Sequence, residues 1–109
     1  MEIRVDRNKL YLNGVEKKFD YNIATVLEFS KYCVILLMDD IVPDNNVMAI
    51  EYDGNVLWNI SKIVSLKYPE AYISISKQGE NTLSTVTYNG VKFLINTLDN
   101  QIIRKEITK

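Results

Sequence analysis

The residues of this chain that could do chemistry are carboxylates. Asp39, Asp40 and Asp44 crowd the segment DDIVPDNN, and Glu51 and Asp53 follow in EYDGNV, close enough in sequence to reach the same end of a sheet. Grouped carboxylates can hold a hard cation, pass a proton or present negative charge to a partner. Most other catalytic equipment is missing. There is no histidine and one cysteine, Cys33, so Ser-His-Asp and Cys-His nucleophiles, HExxH sites and thiolate zinc clusters are excluded. The four glycines, at positions 14, 54, 79 and 90, sit in turn signals and not in a phosphate-cradling loop. As a calcium loop the acidic segment lacks the EF-hand spacing and its glycine, and paired-carboxylate glycosidase chemistry would need a concave cleft. The expectation is therefore no enzyme, no cofactor and no metal. The acidic loop is either a solvated connection or a patch for a partner, and a basic partner would suit its sign.

Composition narrows the rest. The 109 residues suffice for one domain, expected to span 1–109, with 47% hydrophobic and 25% charged residues. Thirteen basic and fourteen acidic residues leave a net charge of −1, which steers the chain towards neither nucleic acid nor an anionic membrane. The longest apolar run is CVILLM and the N-terminus has no apolar h-region, so a cytoplasmic protein without a membrane span is expected. Cys33 lies inside that run and reads as a buried, inert thiol. The seven tyrosines are not interleaved with basic residues, which favours packing over nucleic-acid stacking. Tyr68 and Tyr72, flanking Pro69 and Glu70, are the exception: in the longest irregular segment they read as exposed anchors for a partner.

The elements that must position these residues are strands. Period-two alternation and short-range turn signals predict an all-β antiparallel meander of about nine to ten strands. Its hairpins turn near 13–14, 53–54 and 89–90. Folding at Asn13-Gly14 sets Leu12 opposite Val15 and Leu10 opposite Lys17. YCVILLM is apolar on both faces and belongs in the middle of the assembly. Folding at Asp53-Gly54 pairs Ala49 with Trp58 and Ile50 with Leu57. Folding at Asn89-Gly90 pairs Tyr88 with Val91, Val86 with Phe93 and Ser84 with Ile95 on the core face. Residues 20–31 fit a strand, and a short helical stripe as well.

The three turns are separated by 40 and 36 residues, in the range of propeller-type repeats. Asp53-Gly54-Asn55-Val56-Leu57 also matches Asp99-Asn100-Gln101-Ile102-Ile103 in kind. The string AIEYDGNVLWNI, through Asp53, Gly54, Leu57 and Trp58, resembles the strand-turn-strand of quinoprotein-type β-propeller blades. The chain as a whole is similar to small bacterial all-β proteins with blade-like repeats, a group that includes immunity proteins. A closed propeller needs at least four blades. The resemblance therefore implies a half-propeller-like or curved two-layer sheet arrangement with terminal faces to be covered. It also implies a non-catalytic cytoplasmic immunity protein that occludes a cognate toxin, such as a nuclease, through Asp39, Asp40, Asp44, Glu51, Asp53, Tyr68 and Tyr72. A small structural or ligand-binding module that forms a homodimer through its sheet ends is the alternative.

Overall fold

A computed structural model describes residues 2–107 and contains eleven strands and one short 3-10 turn, Ile60–Lys62. The strands form three antiparallel sheets. The first holds β1 (Ile3–Asp6), β2 (Lys9–Leu12) and β3 (Val15–Lys18) in that order. The second holds β4 (Ile23–Glu28), β5 (Tyr32–Leu37), β6 (Val47–Glu51) and β7 (Val56–Asn59). The third holds β8 (Tyr72–Gly79), β9 (Thr82–Thr87), β10 (Val91–Asn96) and β11 (Gln101–Ile107). The expected count of nine to ten strands missed β1, which pairs with β2 across a turn at Arg7 and Asn8. Residues 23–28 are strand, which resolves the helical alternative.

Two separate cores explain why β5 is apolar on both faces. Cys33, Ile35 and Leu37 pack with Leu10, Leu12, Ile23 and Ile50 between the first and second sheets. Val34 and Leu36, pointing the other way, join Val47, Ala49, Trp58, Tyr72, Leu83, Phe93 and Ile95 between the second and third. The second sheet is thus the middle of three, in place of the two-layer alternative. The outer face of the first sheet is polar: the Arg4 guanidinium lies 4.1 Å from the Tyr11 ring centre, and the Tyr11 hydroxyl donates to Glu16 at 3.0 Å. On the far side Lys92, Arg104 and Glu106 share the outer face of the third sheet, where register sets Lys92 opposite Glu106. The terminal faces are polar enough to meet water directly.

Turn geometry corrects two registers. Asn13 and Gly14 both adopt positive φ, 50° and 84°, so the first hairpin has the expected two-residue loop and pairing. At the other two turns only the glycine does: Gly54 at 98° and Gly90 at 86°. Gly54 N donates to Glu51 O and Gly90 N to Thr87 O, which makes each a type I turn closed by a glycine bulge, one residue longer than expected. At the second hairpin Ala49 still meets Trp58, but the extra residue pairs Ile50 with Val56 instead of Leu57. At the third, Phe93 pairs with Thr85 and Ile95 with Leu83. A one-residue slip turns every side chain of a strand over. Leu83, Thr85 and Thr87 are therefore buried, and Tyr88, expected in the core, is exposed.

The repeat is also reassigned. Asn13-Gly14 and Asn89-Gly90 join second to third strands of their sheets, whereas Asp53-Gly54 joins third to fourth. The true counterpart of Asp53-Gly54 is Asp99-Asn100. Asp53 Oδ1 accepts from Asn55 N at 3.0 Å, and Asp99 Oδ1 accepts from Gln101 N at 3.1 Å. Asn100 matches Gly54 with a φ of 59°.

Trp58 is 6% exposed and packs in the larger core, with its Nε1 lacking a hydrogen-bond partner among the described residues. Trp58→Ala should cost roughly 3 to 5 kcal/mol in chemical denaturation. Trp58→Phe should cost less, because it keeps an aromatic ring and removes the unsatisfied N–H.

Candidate functional site

The acidic loop, residues 38–46, joins β5 to β6, and three other segments meet it at that end of the molecule. The connection 60–71 leaves β7 and returns to β8. Residues 19–22 approach through Met38 N, which donates to Asn22 O at 2.9 Å. The β9–β10 turn completes the group, with Tyr88 N donating to Ala71 O at 2.8 Å.

Asn46 organises this end. Its side chain is 1% exposed. Nδ2 donates to Leu37 O at 2.7 Å and to Tyr72 O at 2.9 Å, while Oδ1 accepts from Tyr72 N at 2.7 Å. One amide thus ties the end of β5 to the start of β8, across two sheets. Asn45, in the left-handed region at φ 52°, accepts from Asn59 Nδ2 at 3.0 Å and donates its own N–H to Glu70 O at 3.3 Å. The Glu70 carboxylate in turn accepts from Asn89 N at 3.0 Å and Asn89 Nδ2 at 3.2 Å. Burial acts to raise the Glu70 pKa, but hydrogen bonds from Asn89 and Thr87 outweigh it and hold the carboxyl below its ordinary value.

Above this framework stand exposed side chains. Asp39, Asp40 and Asp44 all face solvent. The sole ion pair among the described residues joins Arg104 to Glu106, so no lysine or arginine neutralises the three carboxylates. Ile41 is 79% exposed, and Tyr68 and Tyr88 are each 75% exposed. Among the described residues no three acidic or thiol side chains gather where they could hold a metal ion.

The predicted site residues divide accordingly. Asp39, Asp40, Asp44 and Tyr68 share the loop end. Glu51 and Asp53 do not: Glu51 closes the opposite end of β6 and Asp53 lies just past it, about 15 Å of strand away. There Asp53 braces its own turn, accepting from both the backbone and the side-chain amide of Asn55. Tyr72 is 0% exposed and serves the core, so it cannot anchor a partner. Burial, with a smaller contribution from the Glu70 charge, pushes its phenol up to about 12. Sequence reasoning missed Ile41 and Tyr88. The string Thr-Tyr-Asn-Gly carries the signal for Tyr88, since a type I turn with a glycine bulge leaves its second residue outside.

At the opposite end a cleft of about 720 Å³ opens between the second and third sheets. Phe29 and Tyr32 stack there with centroids 5.2 Å apart, and Lys77 Nζ sits 5.0 Å from the Phe29 centre while donating to Glu28 O at 3.0 Å. The Tyr52 hydroxyl donates to Phe29 O. Burial, then the neighbouring Cys33 and Glu28, push the Tyr52 phenol up to about 12, and burial pushes the Cys33 thiol up to about 11. Held up in this way, neither the Tyr52 phenol nor the Cys33 thiol is ionised at neutral pH.

The chain belongs to the family described as Domain of unknown function (DUF7957), which it matches over residues 1–107. No curated protein and no solved structure matches it. The matched span takes in both ends of the molecule, the asparagine-tied loops and the cleft. No helix among the described residues is long and apolar enough to cross a membrane.

Asn46→Ala should destabilise by about 3 kcal/mol or more in denaturant titration, since buried backbone groups of Leu37 and Tyr72 lose their partner. Asn46→Asp should rescue little, because both donors disappear. Glu70 gives a pH signature. Its folded pKa lies below the unfolded value, so its contribution is complete above about pH 4.3 and is lost as pH falls through the folded pKa. The stability difference between wild type and Glu70→Gln should close on acidification below that point.

Proposed function

We propose that this chain is a non-catalytic binding protein whose loop end, with Asp39, Asp40, Asp44, Ile41, Tyr68 and Tyr88, docks on a basic protein partner. One observation carries the reading: unneutralised carboxylates and highly exposed apolar side chains stand together on loops tied from below by Asn46, Asn59 and Glu70. Loops whose ends are held by such bonds lose less entropy on binding than free ones. Exposed tyrosines supply anchors, and local negative charge orients and accelerates the encounter with a basic surface.

The finer reading is a cytoplasmic immunity protein that blocks a cognate toxin, a nuclease being the type of basic active site such a patch would cover. Three stacked sheets, with β8 packed against β4 and β5 and matching Asp turns at 53 and 99, support a half-propeller-like description of the scaffold. Polar outer faces favour this binding role over self-association by stacking of the outer sheet faces.

Purification from the native host should recover a stoichiometric basic protein. The triple variant Asp39→Lys, Asp40→Lys, Asp44→Lys and the single variant Tyr68→Ala should each lose that partner while keeping the wild-type melting temperature. Recovery of no protein partner, together with no protection against the product of a neighbouring toxin gene, would overturn the proposal.

A further inference from the structure

The third sheet ends in an open edge. β11 runs for seven residues, Gln101–Ile107, and is bonded on one side alone, to β10. The other long edge, β8, is irregular at two points against the single bulge of β11, and it packs against β4 and β5. β7, at the edge of the middle sheet, has four residues. β11 also carries more exposed large apolar side chains than any other edge: Ile102, Ile103 and Ile107 are 42%, 56% and 71% exposed. Leu94 pairs with Arg104 and Ile95 with Ile102, so Ile103 has no opposite number on β10. A seven-residue edge with three exposed isoleucines is a template for another strand.

We propose that the occupant is a second copy of this chain, its β11 antiparallel to the first about a two-fold axis at Lys105. The sequence of the strand is self-complementary in that register. Ile103 falls opposite Ile107 of the second copy, and Arg104 opposite Glu106, each match occurring twice. Arg104 Nε already lies 2.7 Å from Glu106 Oε1 within the chain, so two copies form a ring of four alternating charges on one face. Neighbouring registers lose this: centring on Arg104 sets Ile103 against Lys105 and Ile102 against Glu106. The one like-charge contact is Lys105 with itself, and cross-strand repulsion there opposes pairing. Its ammonium, however, sits 6.0 Å from the Phe93 ring centre of its own sheet, drawn back from the edge. The result is a continuous eight-stranded sheet with the single isologous interface of a two-fold dimer. It needs no protein partner and is independent of the loop-end reading.

The test uses the purified full chain. Light scattering across a hundredfold range of concentration should show a monomer–dimer equilibrium. Ile103→Lys should weaken it about tenfold, since two apolar matches disappear. Arg104→Glu should weaken it too, and adding Glu106→Arg should restore it by re-forming the opposite charge pairs. Residue 105 would face its own copy at a Cα separation of about 4.5–5.5 Å, inside the range a disulfide spans. Lys105→Cys should therefore cross-link rapidly under mild oxidation. Gln101→Cys should not, because the two copies of residue 101 would lie about 26 Å apart along the strands. A monomer at every concentration, or Lys105→Cys cross-linking no faster than Gln101→Cys, overturns the proposal.

Discussion

A single buried amide holds the architecture to its loops. The chain passes from the middle sheet to the third just where the acidic loop ends, and the first residue of β8, Tyr72, has backbone donor and acceptor both out of reach of water. Asn46 answers both and spends its remaining hydrogen on Leu37 at the end of β5. The orientation of the amide is dictated, because one edge meets two carbonyls and the other an N–H. Neither an acid nor an apolar residue of that size could replace it: a carboxylate lacks the donors, and leucine would leave the carbonyl and amide of Tyr72 buried without it. From this point the ties run outward through Asn45, Asn59, Glu70 and Asn89. Loops belonging to two different sheets are thereby bonded to one another.

That tie matters because the three sheets are otherwise joined mainly by apolar packing, which is not directional. The middle sheet feeds alternate residues of β5 into two cores, so no register slip in β5 would expose a polar face to water: any slip simply exchanges one core for the other. Packing alone would tolerate such an exchange poorly but specify it weakly. Directional bonds fix what packing leaves loose: Asn46 at the loop end, and Lys77 to Glu28 and Tyr52 to Phe29 at the cleft end. The side-chain bonds beneath the cleft are consumed in this structural duty, whereas at the loop end the Asn46 bonds are buried, that of Asn59 is half-buried and those of Glu70 are exposed, and none of them draws on Asp39, Asp40 or Asp44.

What was legible in the sequence follows the same division. Alternation marked ten of the eleven strands, and the double-faced apolar run of β5 placed it in the middle, because burial is written directly into residue type. The pairing of Ala49 with Trp58 was also legible. The β9 register was not, since Asn-Gly and Tyr-Asn-Gly differ as turns only in whether the asparagine takes a positive φ, and that depends on strand twist more than on the residue. One residue of loop length then reversed a whole strand and moved Tyr88 from core to surface. Tyr72 and the pair Glu51 and Asp53 were misplaced for a different reason. Their positions depend on which end of β6 a loop belongs to and on a long-range bond from Asn46, and neither leaves a trace in local periodicity.

The proposed docking surface divides its labour by distance. With a net charge of −1 the molecule has no long-range field of its own. Its acidic loop is felt only within a screening length, about 8 Å at physiological ionic strength. On this proposal Asp39, Asp40 and Asp44 act in the last steps of an encounter, selecting orientation among partners already near, and Ile41, Tyr68 and Tyr88 act only on contact, where excluded water makes their area count. Such a surface discriminates by requiring both, a basic site and an apolar seat beside it, and a partner offering one without the other gains little. The proposal therefore requires rigid loops beneath: charges and anchors that could move independently would satisfy each requirement on different partners, and specificity would be lost.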